Sequence, residues 1–159
     1  MHRFYWLVDG ELAGCSRPGG RIGGGGEADL EADLAELRER GVGAVLTLTE
    51  APLPWGPLEA HGLASLHLPV DDFHAPSPRQ LTAALDFIDV QRSDGRAVVV
   101  HCAAGQGRTG TVLAAWLIRA GSDADAAIGE VRAVCPGAVE AEPQVDALRR
   151  FAAERGWVV

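Results

Sequence analysis

Hydrophobic periodicity divides this chain into short elements. Phe4–Val8 is an apolar, aromatic run closed by Asp9-Gly10, which predicts a strand and a turn. Gly19–Gly26 is nearly all glycine and predicts a flexible loop, without the strand-then-helix flanks of a phosphate-binding glycine motif. Leu30, Leu34 and Leu37 recur at i, i+4 and i+7 within Glu27–Arg40, the spacing of an amphipathic helix, and Gly41 stops it. Ala44–Leu48 and Leu63–Val70 predict strands. Ala51–Pro57, with three prolines, and Asp71–Pro78, with two, predict loops. Leu81, Leu85 and Ile88 share one face of a helix over Arg79–Arg92. Ala97–Val100 is a continuous β-branched run, typical of a central strand covered on both faces.

Three helices are expected after that strand. Thr109–Ala120 should bury Leu113, Trp116 and Leu117. Asp123–Cys135, with Asp123 near its N-cap, should bury Ala127, Val131 and Val134. Pro143–Arg155 should bury Val145, Leu148 and Ala152. Strands and helices alternate through the first two thirds, and helices fill the last. The expected fold is α/β: a single-domain sandwich over residues 1–159, with a mostly parallel central sheet flanked by helices and a helical C-terminal third.

Composition narrows the function. Apolar residues make up 47% of the 159 and charged residues 23%, enough to bury a core. The net charge of −8 argues against a nucleic-acid binder and against docking on an anionic membrane. All 14 basic residues are arginines. Without a lysine there is no Walker A phosphate grip and no Schiff base. The richness in Ala, Gly and Arg is that of a GC-rich, bacterial genome. No signal-peptide core and no membrane-length apolar run occurs, so the expected setting is the cytoplasm. The three cysteines, Cys15, Cys102 and Cys135, have no C-x-x-C spacing, which argues against a disulfide scaffold or a zinc ribbon.

The chemistry converges on Val98-Val99-Val100-His101-Cys102-Ala103-Ala104-Gly105-Gln106-Gly107-Arg108-Thr109-Gly110. A central strand ends at His101, a glycine-bearing loop follows, and a helix opens near Arg108. Loop amides and a helix N-terminus together make an anion site. The same amides and dipole favour a thiolate at Cys102. Arg108, six residues on, brings a planar fork for two phosphoryl oxygens. Thr109 can donate its hydroxyl to the sulfur. Gly105-x-Gly107-x-x-Gly110 also matches the dinucleotide fingerprint, but that fold needs a further strand ending in an acid, and helices follow here. A third reading, Cys102 as a small buried hydrophobe, leaves Arg108 unexplained.

His101-Cys102-x5-Arg108-Thr109-Gly110 resembles the signature of the protein tyrosine phosphatase superfamily. The resemblance runs from about Phe4 to about Phe151 and is nearest to the small atypical dual-specificity phosphatases. It includes Leu46-Thr47-Leu48-Thr49-Glu50, Leu68-Pro69-Val70-Asp71-Asp72-Phe73 and Pro136-Gly137-Ala138-Val139-Glu140. It implies a metal-free, cofactor-free mechanism. Cys102 attacks phosphorus to form a phosphocysteine, and an acid on another loop protonates the leaving oxygen. The family places that acid directly before an aromatic residue, which selects Asp72 over Asp71. The loop residues Ala103, Ala104, Gly105, Gln106, Gly107 and Arg108 would hold the phosphate, with His101 ordering the loop.

Lesser roles stay open at this point. Glu50 is either a partner of Arg108 or an exposed carboxylate. Gln144 is a candidate for orienting water, and Trp55 for a cleft wall. His61, His67 and His74 are expected at the surface or rim, Trp116 in the core, and a protective disulfide of Cys102 with Cys15 or Cys135 is an alternative to free thiols. Phosphatases acting on inositol lipids carry basic residues within this loop, where Ala103 and Gln106 stand here. The expected partner is therefore a phosphoprotein or a small aryl phosphate, and the expected state a monomer. A module that binds phosphate or senses redox without turnover, and a rhodanese or arsenate-reductase chemistry, are the competing classes.

Overall fold

The computed structural model describes residues 1–21 and 23–155. The five described strands are β1 (Phe4–Val8), β2 (Leu12–Cys15), β3 (Val42–Thr47), β4 (Ala64–His67) and β5 (Ala97–His101). They form one sheet in the order β1-β2-β5-β3-β4. The β1–β2 hairpin is antiparallel, and every other pairing is parallel. The described helices are α1 (Glu27–Glu39), α2 (Trp55–Ala60), α3 (Pro78–Ser93), α4 (Gly107–Arg119), α5 (Ala124–Val134) and α6 (Glu142–Glu154). This is the expected α/β architecture, with α4, α5 and α6 filling the C-terminal third.

The continuous run in β5 is buried on both faces of the sheet. Val98 and Val100 join a core built with α3, α4, α5 and α6, and Val99 joins a second core under α1 and α2. Leu30, Leu34 and Leu37 face the second core, and Leu81, Leu85 and Ile88 the first. Asp123 caps α5 by accepting from the Ala126 N–H at 2.8 Å.

Two elements depart from the pattern. β2 was not expected, because Leu12-Ala13-Gly14-Cys15 is short and built on small residues. Its glycine is steric: a Cβ on Gly14 would lie 2.4 Å from the Tyr5 ring. α2 starts inside the expected loop 51–57. Pro57 sits in its first turn, where no N–H is needed, so the proline that reads as a breaker does not break it. The strand expected over Leu63–Val70 ends at His67, because Pro69 lacks a donor. Leu68 and Val70 still bond back to Thr47 and Leu48.

Five residues are less buried than expected. Trp116 and Leu117 are only partly buried, with the Trp116 indole N–H donating to Asp89 at 3.0 Å. Val134 is 39% exposed. Val145 and Ala152 are partly buried against the core, and Leu148 is fully buried.

Candidate active site

Three parallel strands deliver three loops to their common C-terminal edge, the place where open α/β sheets bind ligands. β5 leads into Cys102–Gln106, β3 into Leu48–Glu50, and β4 into Leu68–Phe73.

The first loop is tied down on every side. Its strand end is His101, wholly buried. Burial pushes the imidazole down to about 3, outweighing its bond to Cys102 O, and the Arg17 and Arg108 charges add to the effect. A neutral ring has one donor and one acceptor. Nδ1–H therefore donates to Cys102 O at 3.2 Å, and Nε2 accepts from Thr47 Oγ1 at 2.9 Å. Tyr5 donates its hydroxyl to Gly105 O at 2.7 Å. The Arg17 N–H donates to Ala103 O at 3.0 Å. Gln106 Nε2 reaches Pro136 O at 3.2 Å, and the Val139 N–H returns to Gln106 O.

The glycines of the loop are required by space. Gly105 has φ 78°, and a Cβ there would meet the Cys15 carbonyl carbon at 2.6 Å. A Cβ on Gly107 would meet Glu140 Oε1 at 2.5 Å and Gln144 Nε2 at 3.0 Å, and one on Gly110 would meet the Ala138 Cβ at 2.9 Å.

α4 begins at Gly107, two residues before the expected start, so Arg108 lies in its first turn. No side chain caps this end. Its first N–H groups and its positive dipole end face the loop that Cys102 opens. Thr109 Oγ1 donates to Cys102 Sγ at 3.1 Å.

Arg108 is almost wholly buried. Nη1 donates to Glu50 Oε1 at 2.7 Å and to Val70 O at 2.9 Å. Nη2 lies 3.4 Å from Asp72 Oδ1. Nε is buried and has no hydrogen-bond partner among the described residues. The edge of the fork formed by Nε and Nη2 is the one a phosphoryl group would take. The Glu50 carboxyl is held below the usual carboxylate range by its own backbone N–H and by Arg108.

Asp72 is half exposed, and its Oδ1 also accepts from the Phe73 N–H at 2.9 Å. Phe73, 58% exposed, has φ 63°, a left-handed conformation that strains a side-chain-bearing residue. Asp71 is exposed and makes no ion pair with Arg108 among the described residues. Gln144 is fully buried. It donates to His74 O at 3.2 Å and accepts from the Ala141 N–H, bridging the Asp72 loop to α6.

The site therefore gathers Cys102, Arg108, Thr109, His101, Asp72, Glu50 and Gln144. Trp55, 70% exposed, lines a cleft with Pro52, Leu53, Leu66 and His67. His67 bonds Thr49 O, His61 bonds Glu31, and His74 is exposed. All three cysteines are free thiols. Cys15 lies in the core on the opposite face of the sheet from Cys102, while Cys135 shares the Cys102 core. Tyr5 and Arg17 are loop supports that sequence pattern missed. Glu140, in a stretch matched to the resemblance, stands beside Gly107 without a hydrogen bond to the loop.

A family profile for "Polymorphic toxin system, DSP-PTPase phosphatase" matches residues 19–122. The phosphatidylglycerophosphate phosphatase PTPMT2 of Arabidopsis thaliana is 35% identical over 116 residues, 70% of this chain and 51% of that protein. Dual specificity protein phosphatase 12 of Mus musculus is 38% identical over 104 residues, 65% of this chain and 30% of that protein. The chain thus spans about half or less of the length of these curated relatives. The crystal structure of Tk-PTP in its active form superposes with a TM-score of 0.82 at 34% identity, covering 96% of this chain and 99% of that one.

Proposed function

Because this chain belongs to the dual-specificity branch of the protein tyrosine phosphatases, we propose that it is a metal-independent phosphomonoester hydrolase working through a phosphocysteine on Cys102. The carrying observation is the buried Arg108 fork, with Nε unpartnered, in the first turn of the helix that follows Cys102. A buried, unpaired guanidinium N–H is costly unless a ligand takes it.

The chemistry follows in two steps. The phosphate dianion binds across Nε and Nη2 of Arg108 and the amides at the start of α4. Cys102 Sγ attacks phosphorus, and the bond from phosphorus to the ester oxygen breaks. Asp72 gives its proton to that oxygen. Water then attacks phosphorus, Asp72 takes its proton, and the P–S bond breaks. Thr109 steadies the sulfur as it carries negative charge, and Glu50 holds the fork in plane. His101, held neutral, orders the loop and exchanges no proton.

The proposed substrate is a phosphotyrosyl side chain, with phosphoseryl and phosphothreonyl side chains under dual specificity. Small aryl phosphates serve as probes. The domain would act as a monomer over residues 1–159 in a reducing cytoplasm, where its three free thiols persist. No helix among the described residues is long and apolar enough to cross a membrane. The test is turnover of phenyl phosphate with excess chelator, beside a panel of phosphopeptides. Undiminished turnover supports the reading, and loss restored only by a divalent metal overturns it.

A further inference from the structure

The loop sequence supplies one full positive charge, Arg108, yet two further arginines reach the loop from outside it. Arg17, just past β2, is bound through its N–H to Ala103 O, and its Nη1 donates to Thr49 Oγ1 at 3.1 Å. Arg3, just before β1, points Nη1 at Ala104 O at 3.4 Å. Both are partly exposed, and the crests of the loop at Ala103 and Ala104 are exposed. Neither has a carboxylate within ion-pair distance among the described residues. Among the same residues Arg21, Arg40, Arg92, Arg96, Arg108, Arg119 and Arg149 do, whereas Arg38, Arg79, Arg132, Arg150 and Arg155 do not, and none of these last five hydrogen-bonds to the loop. In a chain of net charge −8, Arg3 and Arg17 bring two guanidinium charges without a carboxylate partner to one loop.

Their placement relative to Arg108 matters. Thr49 holds Arg17 and the next residue, Glu50, holds Arg108, and adjacent Cα atoms lie about 3.8 Å apart. Arg108 is buried and committed to the scissile phosphate in the reading above. Arg17 spends one neutral hydrogen bond on Thr49, and the rest of its fork remains available for an anion.

We infer that Arg17, assisted by Arg3, forms a second anion subsite that recognises a carboxylate flanking the phosphorylated residue of an acidic phosphopeptide. This rests on the phosphatase reading and deepens it by naming the sequence context. A guanidinium fork matches a carboxylate bidentately, and an acidic peptide gains little from the rest of a chain whose net charge is −8.

The experiment compares kcat/KM for two phosphotyrosine hexapeptides, one flanked by aspartates and one by alanines. The wild type and the R3Q/R17Q double variant are both tested, with phenyl phosphate alongside. Substitution leaves the Arg17 backbone N–H in place. The wild type should prefer the acidic peptide by at least about fivefold at low salt, with the preference shrinking in about 0.5 M salt and falling to near one in the variant. A wild-type ratio near one, or a preference that survives in the variant, overturns the subsite. So does a variant defect confined to glycerol bisphosphate relative to glycerol phosphate, which would give the arginines to a small bisphosphate instead. Failure of the wild type on phenyl phosphate would overturn the phosphatase reading itself.

Discussion

Glu50 Oε1 accepts from Arg108 Nη1 at 2.7 Å, and together with Val70 O at 2.9 Å on the same nitrogen it leaves the Nε edge of the guanidinium without a partner among the described residues. The pair joins the end of β3 to the first turn of α4. Glu50 is largely exposed, so its effect is on orientation more than on stability. Glu50→Ala should lower kcat/KM for aryl phosphates by about tenfold with little change in Tm. Glu50→Gln, which keeps an acceptor, should recover most of the loss in steady-state kinetics.

The two loop glycines separate steric cost by what must move. At Gly105 a Cβ meets backbone of Cys15, and φ is positive. Gly105→Ala should therefore destabilise the fold by about 1–3 kcal/mol, seen in denaturant unfolding. At Gly107 the Cβ meets the exposed Glu140 carboxylate at 2.5 Å, which can swing aside, and the buried Gln144 amide only at 3.0 Å, where a shift of a few tenths of an ångström suffices. Gly107→Ala should keep near-native stability and lose activity, because the displaced side chains border the loop. Equal destabilisation by both would contradict this difference.

Stability should depend on pH through His101. The folded ring protonates only near about 3, below the ordinary histidine value of about 6.5. Below about 6.5 the unfolded chain takes up a proton that the folded chain refuses. The contribution is complete above that pH and is lost as pH falls toward about 3, at about 1.4 kcal/mol per unit. Asp33 acts in a lower window. Its burial pushes the carboxyl up, but Arg21, the Met1 ammonium and the Gly19 N–H together hold it near about 2. Its contribution fades between about 3.8 and about 2. Urea unfolding of wild type between pH 6.5 and 4 should show the His101 slope, and His101→Gln should flatten it.

The fold was legible where periodicity and burial agree, as in the leucine spacing of α1 and the β-branched run of β5. β2 was hidden because its residues are small for a reason outside the strand, the Tyr5 ring against Gly14. α2 was hidden because proline in a first turn is helical, though it reads as a loop. Cys102, Arg108 and Thr109 were legible together because the strand, loop and helix that join them are contiguous. Arg17 and Tyr5 reach the same loop from distant segments, through pairings that only the sheet order creates, whereas Glu50 at the end of a strand was already one of two readings as the Arg108 partner. Asp72 stood out from Asp71 through the aromatic residue after it, and its carboxylate is the one beside Arg108.

Asp72 should matter in proportion to how badly the leaving oxygen needs a proton. Asp72→Asn should lower kcat for phenyl phosphate by about 10² to 10⁴ and much less for a fluorinated phenol that departs as an anion. Asp71→Asn should do far less on either substrate. Equal losses on both leaving groups would remove Asp72 from proton transfer.

The most direct test of the phosphocysteine is to stop the wild-type enzyme with acid during turnover of an aryl phosphate in excess chelator, and to weigh and map the protein by mass spectrometry. The expected result is a gain of one phosphoryl group on the peptide that carries Cys102, absent from Cys102→Ser, which should also be inactive. A phosphoryl group on another residue, or a Cys102→Ser variant that turns over substrate at the wild-type rate, would contradict it.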